Sequence, residues 1–296
     1  MRLARFNEGR IGVIEGNEIA DITGPAGCDP VAWPPVGMVS LIGRHGDDPD
    51  AIAEMVRSAP RLPLAEVRLD CPIDWPNKVV AFPANYDAHI AEQRRTKVGL
   101  ISTFDAAGQG FFLKSNSSLS GPEDPIILPP IEGREIHHEC EMAIIIGRGG
   151  RGITRAEAYD HIFGYACLVD VVVRGREERV MRKSYDSFCP LGPTIVTADE
   201  IADPNDLDLR LTVNGDVRQE ANTHDLKVDI PGMVEMASAV MTLFPGDVIA
   251  TGTPAGVGPI QPGDRLVSSV SGLGELALEV LAGDLGAHPV WNKPEN

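Results

Sequence analysis

His138-Glu139-Cys140-Glu141-Met142-Ala143-Ile144-Ile145-Ile146 sets two carboxylates, two residues apart, at the head of a short apolar run. Such a run reads as a β-strand. Side chains alternate along a strand, so Glu139 and Glu141 share one face and aim at one point. A second apolar run, Ala166-Cys167-Leu168-Val169, closes on Asp170. A carboxylate on a neighbouring strand would complete a hard, all-oxygen ligand set of the kind Mg²⁺ or Mn²⁺ takes. Spacing alone also fits a solvated strand face with salt-bridge partners.

Working outward, most of the chain has the same character. Strands are expected over 79–82, 110–114, 142–146, 164–173, 194–197, 207–213, 248–251 and 265–270, with Gly/Pro punctuation between them. Helices are few: 86–95, 155–162 with Thr154 as cap and Glu157 at the capping-box position, and 231–242. Repeated βα units, a GxGxxG motif and a P-loop are all missing, which disfavours a nucleotide-binding α/β fold. The leading segment alternates short strands at 3–6, 11–15 and 18–22 with turns, followed by a helix over 50–58 and a proline-spaced linker over 63–76. The expected class is α+β, mainly β: a small N-terminal β-rich domain and linker over 1–72, then a roll- or barrel-like catalytic domain over 73–296.

Forty-three acidic against twenty-six basic residues in 296 give a formal charge of -17. That charge repels phosphate backbones and anionic lipid, so neither nucleic acid nor a membrane is an expected partner. Met1-Arg2-Leu3-Ala4-Arg5-Phe6 lacks the apolar core of a secretory signal, and a cytoplasmic location is expected. Five cysteines without CxxC spacing suggest reduced, packed thiols instead of a disulfide framework or zinc cage.

His89 and Glu92 stand three apart on the expected helix, where a carboxylate can orient an imidazole and stabilise its protonated form. That pairing suits a general base acting on water, although an ordinary surface pair has the same spacing. His137 and His138, just before Glu139, read as strand edge or as support for the ligands, because oxygen donors favour Mg²⁺ or Mn²⁺ over an imidazole-rich site. His45, His161, His224 and His288 show no partner pattern.

Several short motifs, in order, carry a resemblance. They are Asn85-Tyr86-Asp87-Ala88-His89-Ile90-Ala91-Glu92, Phe112-Leu113-Lys114, His138-Glu139-Cys140-Glu141 and Phe163-Gly164-Tyr165 running to Asp170. Then come Lys183-Ser184-Tyr185-Asp186-Ser187-Phe188 with Leu191-Gly192-Pro193, Val213-Asn214-Gly215, Pro245-Gly246-Asp247-Val248-Ile249, Thr251-Gly252-Thr253-Pro254 and Pro262-Gly263-Asp264. Over residues 76–282 the chain resembles the fumarylacetoacetate hydrolase family.

The resemblance implies a mixed β-roll catalytic domain, usually a homodimer, with Mg²⁺ or Mn²⁺ held by Glu139, Glu141 and Asp170. It implies catalytic roles for His89, Glu92 and Lys183, and substrate contacts from Arg174, Thr253, Tyr86 and Lys114. The implied chemistry is metal-dependent hydrolysis of the C–C bond of an acylpyruvate-type 1,3-dioxo acid, such as maleylpyruvate or fumarylpyruvate, to pyruvate and a dicarboxylic acid. Arg94 and Arg95 are candidates for a distal substrate carboxylate. The alternative is a decarboxylase or isomerase of a 2-oxo or 2-hydroxydienoate diacid on the same platform; a metal-dependent binding protein without turnover is a third class. Two departures stand out. Glu177 occupies a position where relatives often carry glutamine, calling for a partner such as Arg176 or Arg179, and the 175–182 link to Lys183 is short.

Overall fold

The computed structural model describes residues 1–96, 105–286 and 291; His288 lies outside the described residues. A twelve-stranded sheet forms the centre. Its main path runs Arg61–Pro63, Glu18–Asp21, Arg10–Glu15, Arg2–Phe6, Cys189–Thr197, Ile162–Val169, Cys140–Ile146, Val248–Ala250, Val79–Ala81, Phe112–Lys114. Neighbours along this path are antiparallel except Val79–Ala81 beside Val248–Ala250. The class is mainly β, as expected.

The strand Cys140–Ile146 is buried throughout, and its alternation divides two cores. Cys140, Met142, Ile144 and Ile146 face a five-stranded sheet that contributes Leu209, Leu211, Leu266 and Leu276. Ala143 and Ile145 face the opposite side, where Met38, Leu41, Ile42, Ile52 and Val56 cover the sheet. Those last five lie on two helices of the leading segment, Gly37–His45 and Pro49–Ser58. The second starts where expected: Pro49 opens it and the Asp48 carboxylate accepts from Ala51 N at 3.0 Å. The first was not expected, because Gly37 and Gly43 weaken its propensity; the i, i+3, i+4 spacing of Met38, Leu41 and Ile42 against the sheet holds it instead.

Two further expectations are corrected. The 63–76 segment is not a plain linker: Arg61–Pro63 pairs with Glu18–Asp21, and Leu69–Asp70 with Arg2–Phe6. The helix expected over 155–162 is one 3₁₀ turn, Ala158–His161. Thr154 and Glu157 do make the expected bond, Thr154 Oγ1 to Glu157 Oε2 at 2.7 Å, but Ile162 and Phe163 already belong to a buried central strand. Arg2–Phe6 pairs with Cys189–Thr197, so the leading segment shares the main sheet.

Candidate active site

The register brings the three carboxylates together. Cys140 pairs with Val169 across antiparallel strands, and Asp170 N donates to Glu139 O at 2.8 Å, placing Asp170 opposite Glu139. Directly opposed residues share a face, so Glu139, Glu141 and Asp170 point together. Each offers one oxygen within 4.8 Å of the others, and all three are buried.

The charges around them are arranged unevenly. Lys183 Nζ donates to Glu139 Oε2 at 2.6 Å and also to Asp170 Oδ2. Lys114 Nζ donates to Asp170 Oδ1 and to Phe188 O. Glu139 Oε1 lies 3.2 Å from Arg174 Nη2. Burial opposes ionisation of Glu139, but Lys183 and Arg174 hold its carboxyl well below the usual range. Glu141 has only a backbone donor, Gly252 N at 2.8 Å, and burial together with Asp170 pushes its carboxyl up. An anionic oxygen gathered with two others, with no cation of its own, is the feature that fits a divalent ion.

The three carboxylates line a small cavity of about 60 Å³ together with His89, Arg174, Lys183 and Thr253, all expected from the sequence. His89 is buried on the helix Asp87–Thr96; its Nδ1 lies 3.3 Å from Glu92 Oε2. A carboxylate only accepts, so Nδ1 carries the hydrogen and the Nε2 lone pair faces the Gln93 amide at 2.9 Å. Gly256 N donates to both Glu92 oxygens, at 3.0 and 3.1 Å, tying the helix to the 251–258 loop. Against the pull of burial, the His89 and Gly256 bonds hold the Glu92 carboxyl below its ordinary value.

Arg174 is close to Glu139 but poorly aligned. Its buried Nε and Nη2 have no hydrogen-bond partner among the described residues, which leaves a donor pair beside the cavity for an anion. Thr253 Oγ1 accepts from Gln219 Nε2 at 2.8 Å.

Other expected residues lie elsewhere. Tyr86 is packed in the core and its hydroxyl meets no partner among the described residues. Lys114 is turned to Asp170, neutralising it from behind. Arg94 and Arg95 are exposed and do not line the cavity. Glu177 pairs with Arg134, at 3.1 Å, instead of Arg176 or Arg179. His138 donates from Nδ1 to Gln219 Oε1 at 3.0 Å, and burial pulls its pKa down to about 4. Burial also lowers His137, with Arg174 adding to it. Neither histidine belongs to the carboxylate cluster.

Gln219 was not expected. It is buried, accepts from Cys140 N at 2.9 Å and His138, and donates to Thr253 and to Pro254 O at 2.9 Å. One side chain thus fixes both the strand that carries Glu139 and Glu141 and the loop that carries Thr253. Gln93, Arg179 and Arg182 also line the cavity without having been singled out.

The comparisons agree with this geometry. The family model for the C-terminal part of fumarylacetoacetate (FAA) hydrolase matches residues 78–281. A maleylpyruvate hydrolase of Aquipseudomonas alcaligenes is 42% identical over 286 residues, covering 95% of this chain and 99% of its own. The crystal structure of maleylpyruvate hydrolase from Sphingobium sp. SYK-6 in complex with manganese(II) and pyruvate superposes with a TM-score of 0.86 at 52% identity, covering 96% of this chain and 100% of that one. Human mitochondrial oxaloacetate tautomerase FAHD2B is 35% identical over 237 residues, covering 75% of this chain and 72% of its own.

Proposed function

Because this chain belongs to the fumarylacetoacetate hydrolase family, we propose that it is a divalent-metal-dependent hydrolase cleaving the C–C bond of an acylpyruvate, with maleylpyruvate as the reference substrate. The observation that carries the reading is the His89–Glu92 pair facing the same cavity as the carboxylate triad. Decarboxylation or isomerisation needs no activated water, and the more similar relatives are hydrolases by name.

In this reading Glu139, Glu141 and Asp170 hold Mg²⁺ or Mn²⁺. The bound ion supplies Lewis-acid stabilisation of negative charge on the 2-oxygen of the pyruvoyl unit. The unpaired donors of Arg174 take the pyruvoyl carboxylate. Gln219 donates to Thr253 Oγ1, so the Thr253 hydroxyl hydrogen is free to donate to the same carboxylate. His89 Nε2, freed from Gln93, takes a proton from water as the water oxygen bonds to the distal carbonyl carbon, and Glu92 stabilises the resulting imidazolium. The bond between that carbon and the methylene then breaks, its electron pair passing to the pyruvate enolate. Protonation of the methylene carbon completes pyruvate, and Lys183 is the nearest acid. Burial works against its charge, but Asp170, Glu139 and Glu141 keep it protonated, with its pKa raised.

The first test is turnover of maleylpyruvate by metal-stripped protein with and without Mn²⁺. Metal-dependent release of pyruvate and a four-carbon diacid is the expected result; oxaloacetate decarboxylation or tautomerisation with no cleavage would overturn it. Replacing Gln219 with leucine is expected to destabilise the fold by about 1–3 kcal/mol, because Cys140 N and His138 lose a buried acceptor. It should also raise KM through a loosened Thr253. Thermal denaturation and steady-state kinetics check both parts, and a silent substitution would remove Gln219 from this account.

Residues 1–72 are read as a module that braces the catalytic part through the shared sheet. A homodimer and a cytoplasmic location belong to the same proposal. Among the described residues no helix is long and apolar enough to cross a membrane, and light scattering in solution tests the dimer.

A further inference from the structure

Two cavity-lining arginines have no part in the mechanism above, Arg179 and Arg182. Arg182 is buried and directs its guanidinium at backbone: Nε donates to Glu177 O at 2.7 Å and Nη1 to Val173 O at 3.3 Å. It holds the short loop behind Arg174. Arg179 has a different environment. Its Nη2 donates to Gln109 Oε1 at 2.6 Å, a neutral amide, and no carboxylate among the described residues forms an ion pair with it.

Position makes Arg179 informative. Arg179 and Lys183 are the first and last residues of the helix Arg179–Lys183, four apart, so they lie on one face about 5.4 Å apart along the axis. Both flank one ring: Lys183 Nζ lies 5.4 Å and Arg179 Cζ 5.9 Å from the Phe112 centroid. Lys183 marks the inner end of the wall, where it bonds Glu139 and Asp170. Arg179 therefore stands one turn further from the carboxylates, with the apolar face of Phe112 alongside.

We propose that Arg179 reads the distal carboxylate of a dicarboxylic acyl chain, so that this cavity favours acylpyruvates ending in a second carboxylate. The inference rests on the hydrolase reading and deepens it. An acylpyruvate chelated at the triad extends outward from it, and its acyl arm passes Phe112 before reaching the guanidinium. A carboxylate there replaces the neutral Gln109 acceptor with a charged one, which makes shorter and stronger hydrogen bonds. Arg94 and Arg95, the sequence candidates for this role, are exposed and away from the cavity.

The test compares maleylpyruvate with 2,4-dioxopentanoate, which keeps the pyruvoyl unit but ends in a methyl group, using the Mn²⁺-loaded full chain. Arg179→Gln is expected to lower kcat/KM for the diacid by about 10- to 100-fold, mainly through KM, and to affect the monoacid far less. Arg179→Lys should recover part of the preference, since it restores charge without the planar fork. Gln109→Ala should keep the preference, because it removes only the neutral partner. Melting temperatures confirm that each variant is folded, and if Arg179→Gln does not fold, Arg179→Lys and Gln109→Ala read the same ratio. Equal losses on both substrates, or a Gln109→Ala variant that loses the preference, would assign Arg179 a structural role and overturn the inference while leaving the hydrolase reading intact. A wild-type protein that cleaves neither substrate would overturn the hydrolase reading, and this inference with it.

Discussion

Glu141→Gln is expected to lower kcat/KM by on the order of 10³ and to abolish the thermal stabilisation that Mn²⁺ gives the wild type. At a metal concentration of 100 Kd that stabilisation amounts to about 2.7 kcal/mol. The same substitution should raise the stability of the metal-stripped protein. Glu141 is buried beside Asp170 and Glu139 with a single backbone donor, and its carboxyl is pushed up by burial first and Asp170 second. A folded-state pKa above the unfolded value means the fold prefers the protonated form. Metal-stripped wild type therefore loses stability as pH rises through the folded value, and Glu141→Gln removes that loss. Asp170→Asn should behave oppositely without metal. Lys114 and Lys183 both bond Asp170 in a site closed to solvent, and losing their shared counter-charge costs about 3–5 kcal/mol. Melting curves with and without Mn²⁺ for both variants decide the matter. Unchanged metal affinity in Glu141→Gln, or an Asp170→Asn protein as stable as wild type when stripped, would sink this account of the triad.

The contrast between those two carboxylates also marks how far sequence reasoning reached. That Glu139, Glu141 and Asp170 converge was legible, because period-two alternation and a strand-end aspartate survive any detail of the loops. His89 and Glu92 were legible for a similar reason, since three residues on a helix fix a shared face. Which cation serves which carboxylate was not. Lys114 lies fifty-six residues from Asp170 in the chain, and only the sheet order brings its strand beneath the triad. Gln219 was invisible for the same reason: its partners Cys140 and Thr253 are seventy-nine and thirty-four residues away, on two other elements. Polar residues with that hub role carry no local pattern. At the level of fold, the helix Gly37–His45 was hidden by its glycines, and the 155–162 stretch showed a genuine capping bond in front of a segment that the central sheet claims as strand. In both places tertiary packing outweighed local propensity.

His89→Ala is expected to lower kcat for acylpyruvate hydrolysis by about 10²- to 10⁴-fold while leaving metal binding intact. The imidazole sits in the cavity wall, its Nδ1 hydrogen committed to Glu92 and its Nε2 lone pair held by a side-chain amide that substrate or water can displace. Nothing among the other cavity-lining groups offers an equivalent neutral base. Lys183 is kept protonated, the arginines are cationic, and the three carboxylates are turned to one another. Glu92→Gln should lose less, because an amide oxygen still accepts from Nδ1, but it no longer opposes the charge on the imidazolium. It also alters the two bonds from Gly256 that anchor the helix, so its KM should rise as its kcat falls. Metal-induced thermal shifts separate these variants from Glu141→Gln: they should retain the wild-type shift while turnover collapses. The same pair distinguishes the rival chemistry. Tautomerisation or decarboxylation of oxaloacetate involves no water attack, so any such activity should survive in His89→Ala. A His89→Ala enzyme that hydrolyses maleylpyruvate at the wild-type rate would show that water is activated by another group, and the helix would then be a cover over the cavity instead of the source of its base.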